Sequence, residues 1–110
     1  MARILVVEPH SDVRSLLELM LERFGHEPVR YHGTSADLES IDLAVIEPGD
    51  DVGFEAAQAV RAAGIDVVLV SIYPPEARTL ALQPIVYLVK PFPRHLFERA
   101  VEEGLSRRQP

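Results

Sequence analysis

The sequence predicts an α/β domain: a doubly wound parallel sheet of five strands with helices on both faces. Three observations predict it. Five short apolar runs recur along the chain, at Ile4–Val7, Pro28–Tyr31, Leu43–Ile46, Val67–Val70 and Ile85–Val89. Most are unbroken stretches of Val, Ile and Leu, the pattern of strands covered on both faces rather than the alternation of a half-exposed sheet. Segments with helical spacing or helical punctuation lie between them. Right-handed crossovers and a count of five strands favour the flavodoxin-like (βα)5 order 2-1-3-4-5.

The first helix is the plainest element. Val13, Leu16, Leu17, Met20, Leu21 and Phe24 draw one apolar stripe at helical spacing. Ser11 or Asp12 is placed to cap its start and Gly25 to stop it. A second, short helix is expected after Thr34, which has Asp37 three residues on as in a capping pair, with Leu38 and Ile41 turned inward. The third, about Phe54–Ala63, is rich in alanine and ends at Gly64. A fourth, Pro75–Leu82, begins with a proline suited to a first helical turn. The last, about Arg94–Leu105, sets Phe97, Val101 and Leu105 on one face with Leu96 and Ala100 beside them.

The chain of 110 residues is enough for one domain with one core, read here as 1–110 with residues 106–110 as a frayed tail. There is no linker-like stretch, repeat or low-complexity segment. Cysteine is absent, which excludes disulfides and thiolate metal sites. Apolar runs of four or five residues fall far short of the roughly 20 that span a membrane. The amino terminus lacks signal-peptide anatomy, so a cytoplasmic protein is expected. The net charge of −6 argues against nucleic acid as a partner, because phosphate binding needs a concentrated basic surface. Arg107-Arg108 reads as a solvated end.

In such a sheet, ligands gather at the carboxyl ends of the strands near the reversal of strand order. Strand 1 ends at Glu8, strand 3 at Glu47, strand 4 at Ser71 and strand 5 at Lys90. Two acids, a hydroxyl and an ammonium therefore line one crevice. A carboxylate can attack a phosphoryl group to form an acyl phosphate, a hydroxyl and a lysine can hold the phosphoryl oxygens, and a divalent cation between carboxylates would neutralise charge during transfer.

On these residues the whole chain resembles a receiver domain of the bacterial response-regulator family, the phosphoacceptor of two-component signalling. Arg3-Ile4-Leu5-Val6-Val7-Glu8 with Asp12-Val13-Arg14 resembles the family's first strand and helix start. Glu47-Pro48-Gly49 resembles the acceptor strand end, Ser71 the hydroxyl position, and Tyr87, three before Lys90, the switch aromatic. Val89-Lys90-Pro91-Phe92 is the most specific piece, and the resemblance implies a cis bond between Lys90 and Pro91. The departures are equally specific. Where the family has two adjacent acids, this chain has Glu8-Pro9, so one metal-directing carboxylate is missing. Where the family has an acceptor aspartate, it has Glu47, which moves the carboxylate by about 1.5 Å, one carbon–carbon bond. Ile72 replaces the small residue usual after the hydroxyl and would narrow the mouth. In-line transfer and magnesium geometry both tolerate such displacement poorly.

The expectation is thus an atypical, stand-alone, non-enzymatic receiver that signals through protein–protein interaction, with Glu47 in the acceptor position, magnesium weak or absent and no other cofactor. The alternatives are a competent phosphoacceptor in a phosphorelay and a small-molecule module on a flavodoxin-like scaffold. The resemblance implies a face made of the fourth helical segment, the fifth strand and the last helix for a homodimer or a partner, with a histidine kinase or an output protein as candidates. Asp50 and Asp51 read as turn residues. His10, His26, His32 and His95 lack metal-ligand spacing, and Arg61, Arg78 and Arg94 are assigned to solvated faces.

Overall fold

In the computed structural model, which describes residues 1–107, five parallel strands form one sheet in the order β2-β1-β3-β4-β5. The strands are β1 (Arg3–Val7), β2 (Glu27–Arg30), β3 (Leu43–Ile46), β4 (Val67–Ser71) and β5 (Val86–Val89). Alternate residues of each strand point to opposite faces, so the sheet builds two core halves. Ile4, Val6, Leu43, Val45, Val68 and Val70 pack with Leu17 and Leu21 of α1 (Ser11–Arg23) and Phe97 and Val101 of α4 (Arg94–Ser106). Leu5, Val7, Ala44, Ile46, Val67 and Leu69 pack with Ala56, Ala57 and Val60 of α2 (Asp51–Ala62). The central strands β1, β3 and β4 are almost wholly buried, which is why their sequences are unbroken apolar runs.

The helix ends depart from the sequence reading in instructive ways. Neither Ser11 nor Asp12 caps α1; they are its first two residues, and His10 is the extended N-cap. The Glu8 carboxylate accepts the His10 N–H at 3.3 Å, which anchors the helix start from outside. Leu16, placed in the apolar stripe, is exposed. Asp50 is not a turn residue but the cap of α2, its Oδ1 accepting the Gly53 N–H at 2.7 Å, and α2 accordingly begins three residues before Phe54. The second helix is a single 3-10 turn (Ser35–Leu38), held by Asp37 Oδ2, which accepts the N–H groups of His32 and Thr34. The fourth is a single turn, α3 (Ala77–Leu80). Its start is delayed past Pro75 because the Thr79 hydroxyl takes the Glu76 N–H, and Gln83, at φ 55°, turns the chain out before Pro84. The described residues therefore form four α-helices and one 3-10 turn.

The last helix runs through Ser106; of the expected frayed tail, residues 108–110 lie outside the described residues. Gly104 lets α4 sit close on the sheet: a Cβ there would stand 2.6 Å from Leu43 Cδ1. Of the arginines assigned to solvated faces, Arg78 and Arg94 are exposed and Arg61 is partly buried. Arg61 donates to the Leu82 and Ile65 carbonyls, Arg78 stacks on Phe54 at 4.0 Å, and Arg94 lies over Phe24 at 5.5 Å. Among the described residues no helix is long and apolar enough to cross a membrane.

Candidate functional site

Strand register decides which side chains meet. Val7 pairs with Ile46, so Glu8 and Glu47 leave adjacent strands side by side, and the Glu47 N–H donates to the Val7 carbonyl at 2.9 Å. Ser71 pairs with Val89, and the Lys90 N–H donates to the Ser71 carbonyl at 2.7 Å. Lys90 then reaches across β4 and β3. Its Nζ donates to Glu8 Oε1 at 2.5 Å and to Glu47 Oε2 at 3.4 Å. The Lys90–Pro91 peptide bond is cis.

The group is enclosed. The side chain of Glu8 is 0% exposed, that of Glu47 9% and that of Lys90 14%. Buried charges need a partner at every ionised atom, and here all four carboxylate oxygens have one. Glu8 Oε1 faces Lys90, and Glu8 Oε2 faces the His10 N–H and, at 3.3 Å, the His10 ring Nδ1. Glu47 Oε2 faces Lys90, and Glu47 Oε1 accepts the Gly49 N–H at 2.6 Å. Glu47 and Lys90 also line an open cleft together with Pro9, His10, Val13, Asp50, Ile72 and Tyr73. Ile72 stands at that mouth and is exposed.

Ser71 and Tyr87 occupy an adjoining recess with Pro48, Gly49 and Tyr73. Neither side chain bonds to Glu47 or to the Lys90 ammonium. The Ser71 hydroxyl accepts the Tyr73 N–H at 3.2 Å, a local bond that serine favours in turns. The Tyr87 hydroxyl donates to the Tyr73 carbonyl at 2.8 Å, while its ring packs against the α2-side core. Tyr73, which the sequence reading passed over, thus links the two residues through its backbone. Gly49 enters the sequence reading only as part of the acceptor-end motif, with no contact assigned to it. Both contribute main-chain groups, and the available signal was positional: each stands two residues beyond a strand-end side chain able to bond it.

The other histidines lie apart. His32 faces Asp37. His26 is partly buried, and its Nδ1 accepts the Ala2 N–H at 3.2 Å. Burial and the nearby amino terminus hold its pKa below the ordinary value of 6.5, against a smaller upward pull from Asp42 and Glu102.

No protein-family model matches the chain, and a comparison with curated proteins finds no match. Solved structures do match it. A response regulator receiver domain protein from Clostridium thermocellum superposes with a TM-score of 0.80 at 19% identity, covering 97% of this chain and 96% of that one. A chemotaxis protein of Vibrio cholerae gives 0.80 at 20% identity over 96% and 99% of the two chains. An orphan response regulator of H. pylori gives 0.74 at 18% identity over 94% and 96%. At these identities the likeness establishes one thing, that the chain has the fold of receiver domains over nearly its whole length.

Proposed function

We propose that the chain is a signalling receiver that does not take phosphate, is held in one conformation by its own ion cluster, and acts by binding protein. The observation that carries this is the sharing of Lys90 between Glu8 and Glu47 in an enclosed site. A phosphoacceptor must offer a free carboxylate oxygen in line with the donor and a cation beside it. Here one oxygen of Glu47 is bonded to Gly49 and the other faces Lys90. Magnesium asks for near-octahedral oxygen contacts at about 2.0–2.1 Å. Pro9 supplies no oxygen, the oxygens of Glu8 and Glu47 that would receive the ion face an ammonium, and among the described residues no three His, Cys, Asp or Glu converge as a ligand set. The residues present do not fit the ion.

Opening the cluster is costly as well as unproductive. Removing one partner from a buried ion pair typically costs about 3–5 kcal/mol, because it strands the other charge. The Glu47 carboxylate imitates an acyl phosphate crudely, since a phosphoryl group brings about −1.5 to −2 charge and three acceptor oxygens. The structural neighbours, response regulators and a chemotaxis protein, support a role in two-component signalling rather than catalysis. Leu80, Val89 and Leu96, exposed on α3, β5 and α4, supply the apolar contacts for a homodimer or for docking on an output protein or histidine kinase.

Incubation with acetyl phosphate and magnesium, followed by intact mass measurement, tests the reading. The mass stays unchanged. A stable gain of one phosphoryl group on Glu47 overturns the reading and makes the chain a competent phosphoacceptor.

A further inference from the structure

Gly49 stands two residues beyond Glu47, and its backbone does not call for glycine. The glycines at positive φ are Gly25, Gly33 and Gly64, and Gly49 is not among them. A Cβ built on Gly49 would meet only the Glu47 side chain, with Oε1 at 2.7 Å and Cδ at 3.5 Å. That same Oε1 accepts the Gly49 N–H. Gly53, in the same loop-to-helix segment, is different in kind: a Cβ there would overlap the Glu47 carbonyl oxygen, so its role belongs to helix–strand packing.

We infer that Gly49 is a positioning residue matched to the glutamate at 47: its missing side chain is the space into which the longer carboxylate folds back. The Gly49 N–H and the Lys90 ammonium then hold the two oxygens of one carboxylate, and the chain occupies its own oxyanion site. The match is specific to glutamate. An aspartate at 47 ends about 1.5 Å sooner and leaves the space beside Gly49 empty. The inference rests on the proposed phosphate-independent reading and names the residue that makes it work. It also explains how a longer acid fits a floor that is otherwise closed. A methyl group at 49 displaces the free end of a flexible side chain and leaves the backbone where it is, so Gly49→Ala folds.

The test is a double-mutant cycle between Gly49→Ala and Glu47→Asp, read by urea unfolding and by the amide proton resonance of residue 49. In the native background Gly49→Ala lowers the folding equilibrium constant about tenfold, the effect of losing one hydrogen bond to a charged group. In the Glu47→Asp background the loss disappears and the constant instead rises by up to about fivefold, the effect of replacing a glycine whose backbone does not need one, so the two positions are coupled. The Gly49 amide proton lies downfield in the native chain and moves upfield in Glu47→Asp. Equal effects of Gly49→Ala in both backgrounds, or an amide resonance indifferent to Glu47→Asp, overturn the assignment. A phosphoryl gain by the native chain would instead remove the reading beneath it, so the two failures are told apart.

Discussion

The two ends of the sheet carry similar charges in opposite surroundings. At the amino end Arg3 pairs with Glu27 at 2.9 Å, with side chains 41% and 46% exposed. At the carboxyl end Lys90 pairs with Glu8 at 2.5 Å, with side chains 14% and 0% exposed. The distances alone would rank the pairs as near equals. Burial separates them, because an exposed pair is screened by water and contributes about 0–1 kcal/mol, whereas a buried charge without its partner has nowhere to place its field. The first pair trims an edge between β1 and β2. The second fixes the shape of a cleft. Chemistry that must be held in one arrangement belongs where breaking it is costly.

The largest break in that comparison comes from Lys90→Met. It strands two buried carboxylates and lowers stability by about 3–5 kcal/mol in urea unfolding. Adding Glu8→Gln returns part of the loss, because the second change removes one stranded charge; a double variant no better than the single one would contradict the shared-lysine geometry. Tyr87→Phe is expected to cost about 1 kcal/mol, the net value of a hydrogen bond, here the one to the Tyr73 carbonyl. Arg3→Met at the other end costs less than about 1 kcal/mol, and that loss shrinks in high salt while the Lys90 effect does not.

The smallest effect is a pH slope at the amino end. The pKa of His26 is lowered on folding, so the unfolded chain binds its proton first as the solution is acidified. The stability linked to His26 is therefore fully present above the ordinary value near 6.5 and is lost as pH falls through the lower folded value. Chemical unfolding between neutral pH and pH 5 shows this slope, and His26→Gln flattens it.

The same contrast separates what the sequence made legible from what it did not. The central strands were readable because burial on both faces leaves only Val, Ile, Leu and Ala, and β3 falls on the expected residues Leu43–Ile46. The approach of Glu8, Glu47 and Lys90 was readable because parallel strands end at one edge, and side chains at that edge meet. The short helices were not. Thr79 and Asp37 bond main-chain N–H groups locally and close a turn that a full helix would need to extend. Leu16 misled because a stripe broad enough to cover a sheet has a margin, and the margin faces water. Tyr73 stayed hidden because it acts through its main chain, which every residue possesses. Gly49 and Gly104 were hidden for the opposite reason, since what matters at both is an atom that is missing.

A crystal soaked with magnesium and beryllium fluoride tests the closed cluster most directly. The account predicts that Lys90 Nζ stays between Glu8 and Glu47, that Glu47 keeps the Gly49 N–H, and that neither a hydrated cation nor a fluoroberyllate group enters. Density for an octahedral ion bridging the two glutamates, with Lys90 withdrawn, would contradict it.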